Sequence, residues 1–252
     1  MDRTKACARL VRVLACWIWL WPLGAYAENL AGSDTVRISD APRGRETGRI
    51  SGRVSLAGNY QEPKPLPVFK NRAFCGDRMP DETLIVGPDG GLRNAVVTLH
   101  PLDRPVSARP MALTLDNNRC AFVPHIQVAT VGSEVLLKNS DPILHTVHAR
   151  RGKETLFNVG LPTWRQVRKK LERAGIVRID CDVLHTWMSA AIVVTDTPYF
   201  GLTDGAGRFE ITGLPPGEYD MEVWHERLGT KSMILAVSGG SGRLVEVVYS
   251  SK

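Results

Sequence analysis

Long apolar runs are missing from this chain. The longest, Val13 to Leu23, covers about 11 residues, against the roughly 20 that a bilayer span needs, and Pro22 and Gly24 break it. No later segment is long enough, so no stable membrane span is expected. Charge of one sign is scarce too. The formal net charge is +6, and half of it sits in the first 27 residues, where Arg3, Lys5, Arg9 and Arg12 face only Asp2. The remainder is too small to argue for nucleic acid as a partner. No repeat at a fixed period stands out. With 23 Gly, 16 Pro and many short Val/Ile runs, helical bundles are disfavoured. A composition of 43% hydrophobic and 23% charged residues allows a sizeable core and excludes wholesale disorder. The length allows one or two domains.

The basic start, the short apolar run and Ala25-Tyr26-Ala27 together read as a secretory signal peptide cut after Ala27. An uncleaved anchor is the alternative. Val13-Leu14-Ala15-Cys16 faintly matches a lipoprotein box, but the apolar run continues past it through Trp17, Trp19 and Trp21. A periplasmic or secreted protein is therefore expected. Cys7 and Cys16 would leave with the signal, and Cys75, Cys120 and Cys181 remain. An odd count in an oxidising compartment implies one pair and one cysteine with another use. Cys75 and Cys120 sit in plain polar settings, and a bridge between them would be worth roughly 4 kcal/mol in the loop-entropy model.

Residues 28–47 are polar and read as a linker. From Ile50 onward, short alternating runs are separated by turns such as Asp204-Gly205-Ala206-Gly207 and Pro215-Pro216-Gly217. Ile50 to Leu56, Ala95 to Leu99, Ile126 to Val131, Glu134 to Leu137 and Val177 to Ile179 alternate, while Ala190 to Val194 is continuously apolar. This pattern predicts an all-β sandwich or barrel. One segment differs. Trp164, Val167 and Leu171 recur at helical spacing among Arg165, Arg168, Lys169, Lys170 and Arg173, which predicts a short basic helix over 163–173.

Cys181, His185 and Met188 form a C-x3-H-x2-M loop between an alternating run and an apolar one, and His145 lies upstream. A thiolate, two imidazoles and a thioether are the ligand set of a blue-copper centre. Three ligands on one loop and a fourth from a distant strand would close the site around a single ion. Among the other histidines, His148 falls on the opposite face of the strand from His145. His125 reads as structural, and His100 and His225 have no cysteine partner.

Phe122-x-Pro124-His125-Ile126, Val131-Gly132-Ser133-Glu134-Val135 and Asn139-x-Asp141-x3-His145-x-Val147 resemble the plastocyanin side of the cupredoxins. The longer text, with Asp196-Thr197-Pro198-Tyr199 and Val223-Trp224-His225-Glu226, resembles exported bacterial proteins labelled "methylamine utilization protein". Two departures matter. Three residues separate Cys181 from His185, where plastocyanin-like loops have two and azurin-like loops four. Three also occurs in binuclear CuA motifs, but these need a cysteine where Val177 stands, so a mononuclear site is expected. Thr146 stands where Asn often follows the first His, and could bond across to the ligand loop.

Leu202-Thr203-Asp204-Gly205-x-Gly207-x-Phe209-x-Ile211 through Gly217-x-Tyr219 to Val223 is similar to carboxypeptidase regulatory-like modules, which are small transthyretin-like sandwiches. Their opening strands are matched far upstream, by Ile50 to Val54 and Asn94 to Leu99. The expected organisation is a regulatory-like sandwich in two segments, 48–111 and 196–252, interrupted by a cupredoxin over 112–195. Two sequential units are the alternative.

The expected function is electron transfer by one copper ion on His145, Cys181, His185 and Met188, with a redox protein as partner, acidic if the basic segment docks it. The rivals are a copper carrier or store without redox cycling, and an interaction module with a vestigial site. An enzyme is the weakest rival, because a Met-closed single copper leaves no open position.

Overall fold

The computed structural model describes residues 46–87 and 89–251. The expected signal peptide and nearly all of the expected 28–47 linker lie outside them. The chain starts with β1 (Gly48–Ala57), β2 (Leu66–Pro67), the four-residue helix α1 (Arg72–Cys75), β3 (Arg78–Met79) and β4 (Val96–Pro101). It continues with β5 (Ala112–Asn118), β6 (Ala121–Val123), β7 (Ile126–Thr130), β8 (Glu134–Asn139), β9 (His145–Arg151), β10 (Glu154–Leu161), β11 (Gln166–Lys170), β12 (Gly175–Asp180) and β13 (Ser189–Thr195). It ends with β14 (Phe200–Leu202), β15 (Arg208–Leu214), β16 (Gly217–His225), β17 (Gly229–Val237) and β18 (Gly242–Ser250). The fold is all-β. Among the described residues no helix is long and apolar enough to cross a membrane.

Strands from the two ends of the chain form one pair of sheets, in the orders β15-β1-β18 and β14-β4-β16-β17. Alternation along β1 buries Ile50, Val54 and Leu56 against Leu99, Phe209, Tyr219 and Val247. The middle of the chain forms the other pair, β10-β9-β12-β13-β7 and β11-β8-β5-β6. Its core gathers Leu115, Val135 and Leu137 from one sheet and Val147, Ile179 and Ile192 from the other.

The run Ala190 to Val194 is apolar throughout because β13 is covered on both faces. Ala190, Ile192 and Val194 point into the core of the middle sandwich. Ala191 and Val193 join a separate cluster with Ile126, Val128, Val96 and Trp224, which packs the two sandwiches together. Beside that seam, His125 Nε2 lies 2.6 Å from the Glu226 carboxylate, and both are nearly buried.

The helix expected over 163–173 is a strand. Residues Gln166–Lys170 form β11, the edge of its sheet, paired antiparallel with β8 so that Val167 faces Leu137 and Lys169 faces Val135. Val167 and Leu171 pack on the core in either conformation, because residues four apart share a face in a helix and in a strand alike. The third residue of the expected stripe breaks the tie. Trp164 is 71% exposed, in a turn with φ 63°. The Lys169 ammonium lies 5.7 Å from the centroid of the Phe157 ring on the facing sheet. The free edge of β8 supplied backbone partners that about three isolated helical turns could not match, and the charges of β11 guard the new edge.

Three distant stretches meet at Gly207. Val54 N–H donates to its carbonyl at 2.8 Å, and Leu92 N–H donates to Val54 O at 2.9 Å. Gly207 has φ +75°, and a Cβ there would collide with the Val54 carbonyl and approach Leu92 N to 2.8 Å. Gly152 has a similar φ of +59° but open space around it. Gly152→Ala should therefore cost only the left-handed penalty of about 1–2 kcal/mol, and Gly207→Ala distinctly more. Urea midpoints compare the two directly, and equal losses would refute the close approach.

Candidate metal centre

His145 opens β9, and Cys181 follows directly on β12. β12 pairs with β9, so the two side chains start from neighbouring strands. His185 lies in the loop from β12 to β13. Leu184, at φ 65°, makes the left-handed turn that aims it inward, while its own side chain stays exposed. His145 and His185 are fully buried and Cys181 nearly so.

The three residues converge on one point. Their Nδ1 atoms lie 3.0 Å apart, and Cys181 Sγ lies 3.9 Å from that of His145 and 3.7 Å from that of His185. Behind each ring an acceptor holds the other nitrogen. His145 Nε2 lies 2.9 Å from Asp141 Oδ2, and His185 Nε2 lies 2.8 Å from Asn71 Oδ1. Since those oxygens only accept, both Nε2 atoms carry the proton, and both Nδ1 lone pairs face inward.

Two imidazole lone pairs 3.0 Å apart in a dry interior repel unless a proton or a metal ion lies between them. The point equidistant from the three atoms is about 2 Å from each, which matches imidazole and thiolate bonds to a first-row metal. The residues therefore fit a metal, and they are the His/Cys/acid group of the described residues that could hold one.

The surroundings brace this geometry. Asn139 is fully buried, and its Nδ2 donates to the carbonyls of Ile143 and Leu161, at 2.8 Å each. Its Oδ1 accepts the Asp141 N–H at 3.0 Å. Asp141 also accepts the N–H groups of Arg119 and Cys120, at 2.6 and 2.8 Å. Thr146 reaches the loop that carries Cys181 and His185: its N–H lies 3.4 Å from Cys181 Sγ, and its hydroxyl accepts the Asp182 N–H at 2.7 Å. Cys75 and Cys120 are bridged, and Cys181 is free.

Met188 is buried in the same core cluster, and its N–H donates to the His185 carbonyl at 2.9 Å. His148 faces away from the site and bonds Thr155. His125 is held by Ser189 O and Glu226. Sequence reasoning gave no role to Asp141, although it stood in a quoted motif, and it missed Asn71 altogether. Asn71 had no readable signal, because it reaches the site from 114 residues away.

Electrostatics keep the rings neutral. Burial pushes His145 down, against the opposing pull of Asp141. Burial, then His145 and Lys70, push His185 to about 4. Burial also pushes His225, which neighbours Glu226, to about 4. His125 goes the other way, because the Glu226 carboxylate outweighs its burial.

No family model and no curated protein matches this sequence. Several solved structures are similar to part of it. A purple cupredoxin from Nitrosopumilus maritimus is 20% identical, covering 33% of this chain and 98% of its own, at a TM-score of 0.30. A copper-containing nitrite reductase from Thermus scotoductus is 19% identical, covering 39% and 26%, at 0.32. An amicyanin from Paracoccus versutus is 14% identical, covering 38% and 96%, at 0.31. Scores this low assign no chemistry to this chain.

The histidine shifts set a pH dependence. For His145, His185 and His225 the unfolded chain takes up a proton near the ordinary value of 6.5, and the native state does so only at lower pH. Each therefore removes stability as pH falls below about 6.5, down to about 4 for His185 and His225. His125, raised, contributes stability at low pH that fades as pH climbs through its shifted value. Three groups oppose one, so the metal-free protein should melt at a lower temperature at pH 5 than at pH 7. A flat profile over that interval would contradict the neutral, buried rings.

Proposed function

We propose that His145, Cys181 and His185 hold one copper ion, with Met188 as a weak fourth ligand, and that the protein carries electrons. The observation that carries this reading is the inward-facing triangle of two Nδ1 lone pairs and one sulfur, each backed by a fixed partner. A soft thiolate with two imidazoles selects copper among the common metals when a thioether completes the set. Bound there, copper supplies one-electron chemistry through the thiolate.

The chain's own residues would do the rest. Asp141 and Asn71 orient the rings, Thr146 contacts the Cys181 sulfur, and the surrounding core excludes water. Such bracing keeps the ligands in place whatever the charge at their centre, which suits electron transfer better than substrate chemistry. On this reading the protein is not an enzyme. It acts in the periplasm or outside the cell, with a redox protein as partner. The sandwich built from the two ends of the chain would be the regulatory-like module, interrupted by the copper-binding sandwich over 112–195.

Copper-loaded protein should show an intense thiolate-to-copper charge-transfer band and a reversible one-electron couple. Cys181→Ser should abolish the band. A band that survives this change would remove Cys181 from the site, and copper binding without a reversible couple would favour a carrier or store.

The basic segment is the proposed docking surface for an acidic partner. Arg165, Arg168 and Lys170 are exposed there, whereas Lys169 is half-buried and Arg173 is paired with Glu154. Exposed charges steer association in a salt-dependent way. Arg168→Glu with Lys170→Glu should leave the copper spectrum unchanged and slow electron exchange with an acidic redox protein at low salt. The rates should converge at high salt. A rate indifferent to both changes would place docking elsewhere.

A further inference from the structure

The outer edge of His185 is covered by chain that comes from outside the middle sandwich. Between β1 and β4, a strap runs across this end of the molecule. Val68 and Cys75 are buried in the core cluster of the middle sandwich, and Leu66 and Met79 pack against it. Cys75 is bridged to Cys120. Asn71 lies on the strap, just ahead of α1, and its carbonyl accepts the N–H groups of Phe74 and Cys75 at 2.9 Å each.

Asn71 forgoes two ordinary options to reach His185. It occupies the N-cap position of α1, yet its side chain makes no capping bond, although such a bond is typically worth about 1 kcal/mol. Its backbone is left-handed, with φ 58° and ψ 32°, a region that costs most residues and that Asn tolerates. The side-chain oxygen is turned instead to His185 Nε2, at 2.8 Å.

The consequence is chemical. A neutral imidazole carries one proton, on one nitrogen or the other. On His185, a proton at Nδ1 would point at His145 Nδ1, only 3.0 Å away, and bridge the two rings. That arrangement would consume both inward lone pairs. An acceptor at Nε2 draws the proton to the far side and leaves Nδ1 free. Asp141 does the same for His145 and also accepts the N–H of Cys120. The disulfide thus ties the segments that present both acceptors into one frame, from Asp141 through Cys120 and Cys75 to Asn71.

We propose that Asn71 is a positioning residue of the metal site: from a disulfide-anchored strap, its side-chain oxygen holds His185 in the Nε2–H form and keeps its Nδ1 open for metal. This rests on the reading of His145, Cys181 and His185 as ligands. Acceptors that orient metal-ligating histidines typically matter 10- to 100-fold in affinity.

The left-handed backbone allows a clean test. Asn71→Gly adopts the same φ without steric strain and removes the acceptor, whereas Asn71→Asp keeps an acceptor and tolerates the backbone. In metal-free, full-length, nitrogen-15-labelled protein, histidine correlation spectra should show His185 with its proton on Nε2 in the wild type. Asn71→Gly should move it to Nδ1, and Asn71→Asp should restore it. Copper affinity, measured by competition with a chelator, should fall at least about 10-fold in Asn71→Gly and recover in Asn71→Asp. Peptide mapping of the Cys75–Cys120 bridge checks that the strap stays tethered. If Asn71→Gly keeps the Nε2 proton and wild-type copper affinity, the proposal is wrong. If the wild type takes up no copper, the ligand reading fails, while the proton position still decides what Asn71 does.

Discussion

Two imidazole lone pairs and a sulfur held within 4 Å of one another, away from water, are the constraint that organises this end of the molecule. Such atoms separate unless something behind them holds them. Each ring is accordingly fixed from the rear by one acceptor, and each acceptor is fixed in turn. Asp141 is braced by Asn139 and by the N–H groups of Arg119 and Cys120. Asn71 is braced by the first turn of α1 and by the disulfide. The hydrogen bonds cost little because each satisfies a group that burial would otherwise leave unpaired.

This arrangement depends on chain order. The sheets that carry His145 and flank Cys181 and His185 are built from residues 112–195, but one of the two acceptors arrives from the strap before β4. The strap in turn is held by β1 and β4, which belong to sheets completed only by β14 to β18. Trp224 and Val96 then pack on Ile126, Val128, Ala191 and Val193, and Glu226 reaches His125 across the same seam. The two sandwiches meet through this separate cluster.

Much of the site and fold was legible locally. The Cys181–His185 loop, the odd cysteine and the alternation in β1, β7, β8 and β12 are short-range patterns, which a sequence displays directly. So is the turn at Gly207, because few other residues suit its backbone. The segment over 163–173 was misread because its two core residues, Val167 and Leu171, are compatible with both periods. Only Trp164 separates helix from strand, and its exposure follows from where β11 pairs.

What the sequence by itself determined is the class of structure and the chemical character of one loop: all-β, with a thiol and an imidazole separated by three residues. Those depend on period and on side-chain chemistry, both of which act over a few residues. Only the tertiary structure decided that β8 would take β11 as its edge partner, that His185 would be covered, and that Asn71 would cover it. The bond from Asn71 to His185 joins positions 114 residues apart. No local preference favours it, and the local preferences at Asn71, a capping bond and a right-handed backbone, both point away. It forms because the packed strap and its disulfide leave that oxygen facing the imidazole's outer edge.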